Sequence, residues 1–114
     1  MGSVGVERVA ELFKVLGSTT RLSLIEILMT SPATVGELVS GSGLSQPLVS
    51  QHLRTLRQVG VVSAQRRGRE VVYALADDHV VHVVQDAIAH MNEEHLPTPA
   101  ERGPEATPTE RRTS

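Results

Sequence analysis

The chain has 114 residues, a formal net charge of −2, no cysteine and only two aromatic residues, Phe13 and Tyr73. That length supports one small domain whose Leu and Val core would gain from apolar surface supplied by a second copy; without sulfur, any metal site must be built from nitrogen and oxygen. No stretch reaches the roughly 18 apolar residues that span a bilayer, and the start lacks the basic and apolar segments of a signal peptide, so a cytoplasmic protein with no membrane partner is expected.

In chain order, Val6, Val9, Ala10, Phe13 and Leu16 recur at three- and four-residue spacing, which predicts an amphipathic helix ending near Gly17. "GSTTRLSLIEILMTSP" starts a second, with Ser18 or Thr19 as cap, Leu22, Ile25, Leu28 and Met29 as buried stripe, and Pro32 beyond its end. "TVGELVSGSGLSQPLVSQHLRTLRQVG" holds a short helix, a break at "GSG", and a second helix capped by Ser45, with Pro47 in its first turn and Gly60 as its stop. In that second helix Leu48, Leu53, Leu56 and Val59 are expected inside, and Gln46, Val49, Ser50, Arg54 and Arg57 outside. "VVSAQ" and "EVVYAL" read as two strands joined through "RRGR", and a last helix follows Leu75 to about residue 95. The proline-rich segment 96–114 cannot repay the entropy of ordering and is expected to be disordered, leaving residues 1–95 as the folded domain.

The net charge hides a segregation. Residues 45–70 carry five arginines against Glu70, a local +4, whereas residues 71–101 carry six carboxylates and no Lys or Arg. A short helix, a glycine-containing turn and a second helix that exposes Ser, Gln and Arg near its start is the arrangement that enters a DNA major groove. Gln46, Ser50 and Gln51 would lie toward the bases, Ser45 and Arg54 toward the backbone, and His52 toward either. Arg66, Arg67 and Arg69 around Gly68 would track phosphates beside the groove. The expected class is therefore mainly α with a small β-hairpin, a winged helix-turn-helix.

The blocks "LFKVLGSTTRLSLIEILM", "GLSQPLVSQHLRTLRQVGVV" and "RRGREVVYAL" resemble the signature segments of the ArsR/SmtB family of bacterial winged-helix repressors. The resemblance runs from residue 7 to about 95 and implies a homodimer on double-stranded operator DNA with an inverted repeat. It also implies dimerisation through the first and last helices.

The last helix gathers four of the five histidines, and on it His79, His82, Asp86, His90 and Glu93 fall within a sector of roughly 80° beside an apolar stripe of Val80, Val84, Ala87, Ile88 and Met91. His79 and His90 point the same way but lie about 16 Å apart along the axis, too far to share one ion. Two such helices packed antiparallel about a two-fold axis would bring His79 of one chain to His90 of the other. Asp77 precedes His79 and Glu93 lies one turn beyond His90, so each site gains two imidazoles and two carboxylates, a tetrahedral set that suits Zn(II). This spacing resembles the sensing site of the zinc-responsive ArsR/SmtB members, while the cysteine pair of the arsenite, cadmium and lead sensors is absent. His82 and His95 could raise the coordination number toward the six that Ni(II) or Co(II) prefers, as extra histidines do in the nickel-sensing relatives the resemblance brings in. The expected function is a metal-released repressor rather than an enzyme, since a closed four-ligand shell leaves no position for substrate. A regulator answering a non-metal signal is the alternative.

Overall fold

The structure, a computed structural model, describes residues 3–93. Its elements are α1 (Ser3–Leu16), α2 (Thr19–Thr30), β1 (Ala33–Thr34), α3 (Val35–Ser42), α4 (Gln46–Gln58), β2 (Val62–Arg67), β3 (Glu70–Leu75) and α5 (Asp78–Asn92). This is the winged helix-turn-helix expected from the sequence, mainly helical with one small antiparallel sheet. Contacts divide the chain into two compact units, Met1–Val81 and His82–Ser114. The expected domain end at 95, His95 itself and the segment 96–114 lie outside the described residues. Among the described residues no helix is long and apolar enough to cross a membrane.

Helices begin where a side-chain oxygen can take up a backbone N–H that the first turn leaves unpaired. Ser18 Oγ accepts the Arg21 N–H (3.2 Å) at the start of α2, and Ser45 Oγ accepts the Leu48 N–H (3.3 Å) at the start of α4. Before α3 the exchange is reciprocal: Thr34 Oγ1 accepts from Glu37 N–H (3.2 Å) while Glu37 Oε1 accepts from Thr34 N–H (2.9 Å), a full capping box. Gly43 ends α3 in the left-handed region (φ 76°), donating its N–H to the Val39 carbonyl at 2.9 Å. Only three residues, 43–45, then separate α3 from α4, which makes the turn of the helix-turn-helix.

The core of the first unit lies where α2, α3 and α4 meet one another and the sheet. Leu24, Ile25, Leu38, Val49, Leu53, Leu56 and Val61 are its fully buried side chains. Two expectations are corrected here. Val49, expected outside, is fully buried, and Leu48 and Val59 are only half-buried; Val49, Leu53 and Leu56 share one face at i, i+4 and i+7, so the true inward face is turned by about 50° from the expected one, which shares Leu53 and Leu56 with it. On α2, Leu24 takes the deepest place while Leu22 and Met29 are half-buried, because that helix packs against α3 and α4 and also against β3.

On α1, Val15 and Leu16 are buried, but Val6, Val9 and Phe13 remain 68%, 49% and 55% exposed. The apolar stripe read from the sequence therefore exists and lies on the protomer surface. The hairpin is tighter than expected: Arg66 and Arg67 belong to β2, opposite Val71 and Glu70, and only Gly68 and Arg69 form the loop. Gly68 has φ 63°, the positive value that two-residue hairpin loops require. Sequence reading missed β1, a two-residue strand that pairs Ala33 with Tyr73 and Thr34 with Val72 and gives the sheet order β1-β3-β2.

Leu53→Ala should cost about 2–5 kcal/mol of unfolding free energy, the usual range for emptying a closed apolar site, and urea unfolding followed by circular dichroism measures it. A loss below about 1 kcal/mol would mean that α4 is not packed as described.

Candidate nucleic-acid interface and metal ligands

Burying Val49, Leu53 and Leu56 turns the other side of α4 outward. Gln46, Gln51, Arg54 and Arg57 are exposed there, Ser45 is exposed at the cap, and Ser50 is half-exposed. Gln46 Nε2 donates to Ser50 Oγ across one turn (3.4 Å), so the amide already faces along the helix start rather than folding back on the cap. On the wing Arg66, Arg67 and Arg69 are all exposed. Among the described residues none of these arginines sits in an ion pair, which leaves every guanidinium free to meet an anion. The arrangement offers amide and hydroxyl groups at a helix start, flanked by unpaired cations, which is the chemistry that base edges and phosphates recognise.

His52 is placed differently. It is half-buried on the inner side of α4, and its Nε2 lies 3.1 Å from Thr20 Oγ1 of α2. Burial, and after it the positive charge of Arg21, hold the His52 pKa below its ordinary value. Thr20 went unnoticed in the sequence because a threonine in the first turn of a helix carries no signal of a partner 32 residues away.

Among the metal-ligand candidates, Asp77 has a second role that the sequence reading left out. Its Oδ1 accepts the backbone N–H groups of His79 (2.9 Å) and Val80 (3.1 Å), which makes it the cap of α5. The "ADDH" segment carries that signal, an aspartate just before a helix. The His79 side chain is fully exposed, with Nδ1 3.8 Å from Asp77 Oδ1. Asp77 and His79 thus stand together at the start of α5, while His82, Asp86, His90 and Glu93 are exposed further along it. Among the described residues no three potential ligands come together within the protomer. The donors themselves, imidazole nitrogens and carboxylate oxygens in no ion pair among the described residues apart from the Asp77–His79 contact, fit a borderline cation such as Zn(II). Asp77 also lines an open cleft of about 610 Å³ with Arg8 and Leu12 of α1 and Arg57 and Gly60 at the end of α4.

Comparison with known proteins matches residues 18–64 to the family model of bacterial regulatory proteins of the arsR family. The HTH-type transcriptional repressor SmtB of Mycobacterium tuberculosis is 44% identical over 91 residues, covering 80% of this chain and 67% of the relative. The HTH-type transcriptional regulator NmtR of the same organism is 35% identical over 96 residues, covering 84% and 80%. Among solved structures, a homodimeric winged helix-turn-helix DNA-binding domain from Mycobacterium bovis superposes with a TM-score of 0.76 at 24% identity, covering 84% of this chain and 88% of that one, which shows the shared fold.

Asp77→Ala should lower stability by about 1 kcal/mol and speed amide exchange at His79 and Val80, whereas Asp77→Asn should keep both near wild type because its amide oxygen still caps. Exchange read by NMR checks this; equal protection in the alanine variant would remove the cap from Asp77.

Proposed function

Because the chain belongs to the arsR family of bacterial regulatory proteins, we propose that it is a metal-responsive transcriptional repressor that binds operator DNA as a homodimer and is released when Zn(II) occupies a site between the last helices. The observation that carries the DNA half is the outward face of α4 beside a wing whose arginines are exposed and, among the described residues, in no ion pair. Gln46, Ser50 and Gln51 read base edges, Ser45 and Arg54 hold the backbone, and Arg66, Arg67 and Arg69 follow the flanking phosphates. Two copies related by a two-fold axis would present two such helices to the halves of an inverted repeat.

The dimer reading is supported by the apolar stripe of α1. Val6, Val9 and Phe13 lie on one helix face and, among the described residues, stay 68%, 49% and 55% exposed, and Met91 of α5 is likewise 55% exposed. One solved structure of this fold, the Mycobacterium bovis domain, is homodimeric.

Asp77 and His79 of one protomer, with His90 and Glu93 of the other, would hold the metal. When bound, it supplies a cross-link between protomers and a positive charge at the acidic helix. Asp77 keeps a place for it because capping occupies only Oδ1. Regulation then rests on a difference in affinity between DNA-free and DNA-bound dimers, and it is reciprocal: DNA weakens metal binding by the factor by which metal weakens DNA binding. His82, exposed on the same helix, would join the set if the inducer is Ni(II) or Co(II).

Zinc titrated into metal-free protein on a fluorescent DNA from upstream of its own gene should release the complex near two zinc per dimer. His79→Ala and His90→Ala should bind that DNA normally and stay bound; release at the wild-type zinc concentration would exclude these ligands. Separately, Arg67→Ala and Arg69→Ala should each lower the slope of log affinity against log salt by about 1, and an unchanged slope would take the wing off the phosphates.

A further inference from the structure

A line of hydrogen-bonded polar groups crosses from the backbone end of α1 through α2 to α4, and neither DNA contact nor metal binding uses it. His52 stands between Val49 and Leu56 on the inward side of α4, both of them fully buried. Its Nε2 meets Thr20 Oγ1 at 3.1 Å, and Thr20 Oγ1 meets Ser18 Oγ at 3.0 Å. Ser18 Oγ in turn accepts the Arg21 N–H, and Arg21 Nε donates to the Val15 carbonyl at 2.7 Å near the end of α1. The opposite ring nitrogen of His52, Nδ1, is buried and has no hydrogen-bond partner among the described residues.

That asymmetry selects one protonation state. A neutral ring with its proton on Nε2 donates to Thr20, whose hydroxyl donates to Ser18, and only a lone pair on Nδ1 goes unmet. A protonated ring would bury an N–H with no acceptor, which costs more. It would also set a second cation near Arg21 of α2. The charged side chains of the other elements packed on α4, Glu37 of α3 and Arg66 and Arg67 of β2, are exposed, as are Glu26 of α2 and Arg54 and Arg57 of α4 itself.

We propose that His52 is a positioning residue: as a neutral ring bonded to Thr20 it fixes the seat of the recognition helix on α2, and it makes no contact with DNA. The consequence for the operator rests on the DNA-binding reading above, but the seating is a property of the free protein. Its folded-state pKa lies below that of the unfolded chain, so the unfolded state takes up more protons on acidification. The seating therefore stabilises fully above about pH 6.5 and weakens as pH falls below it.

The test uses the full metal-free chain and the variants His52→Gln, His52→Leu, Thr20→Val and His52→Leu/Thr20→Val. A glutamine amide nitrogen sits near the place of Nε2 and does not titrate. Without DNA, the thermal midpoint of the wild type should fall more steeply than that of His52→Gln between about pH 6.5 and 5. On DNA from upstream of the gene at about pH 8 and fixed salt, His52→Gln should bind within about twofold of wild type. His52→Leu and Thr20→Val should each bind about tenfold more weakly, and the double variant no more weakly than either. Parallel pH profiles for wild type and His52→Gln, or additive losses in the double variant, would overturn the proposal. So would a harmless Thr20→Val beside a His52→Gln as weak as His52→Leu, which would put the ring on the DNA. A wild type that keeps the His52-dependent pH profile yet binds no DNA would sustain the seating and sink the regulator reading instead.

Discussion

Everything outward about this molecule depends on one burial: Val49, Leu53 and Leu56 closing against α2, α3 and β2. A helix with three fully buried residues on one face has little rotational freedom, since turning it would expose apolar area at about 25 cal/mol per Å². The amides, hydroxyls and guanidiniums on the opposite side are therefore carried on a helix face whose direction is set by the core, not by their own hydrogen bonds such as Gln46 to Ser50. Rigidity on the inside is what lets polar groups on the outside read a second surface.

The charge segregation acts on the same frame. Arginines cluster on α4 and the wing, carboxylates and imidazoles on α5, so the formal net charge near zero conceals two surfaces of opposite preference. An anionic partner and a cationic one can then be engaged at separate places on one short chain, which is the minimum that coupling between two ligands requires.

Much of this was legible in the residues. Ser18, Ser45 and Gly43 mark helix limits through local chemistry, and local chemistry is written in short windows. The ligand candidates on α5 were legible because helical spacing alone puts His79 and His90 on one sector. What escaped depended on distant partners. Val49 and Leu48 are both apolar neighbours on α4, and only the position of α2 and α3 decides which turns inward. The strand β1 has two residues and exists because β3 lies beside it. His52 reads from the sequence as a DNA contact, toward bases or backbone, and only the position of α2 brings Thr20 within 3.1 Å of its ring.

The hairpin loop of Gly68 and Arg69 bears on how such a chain can diverge. β1 pairs with the middle of β3, at Val72 and Tyr73, while residues 66–70 around the loop are exposed, so the distal end is the part of the fold where length can change without disturbing the core. Register sets a parity rule on such change: adding one residue to each strand lengthens the ribbon and preserves pairing, whereas a single added residue must bulge or invert the faces beyond it. Wing reach is thus free to drift in paired steps of about 3.3 Å per strand residue, while the helix-turn-helix that it accompanies stays constant. Descendants of one ancestral repressor could acquire different operator footprints by insertion alone, with no substitution in the recognition helix.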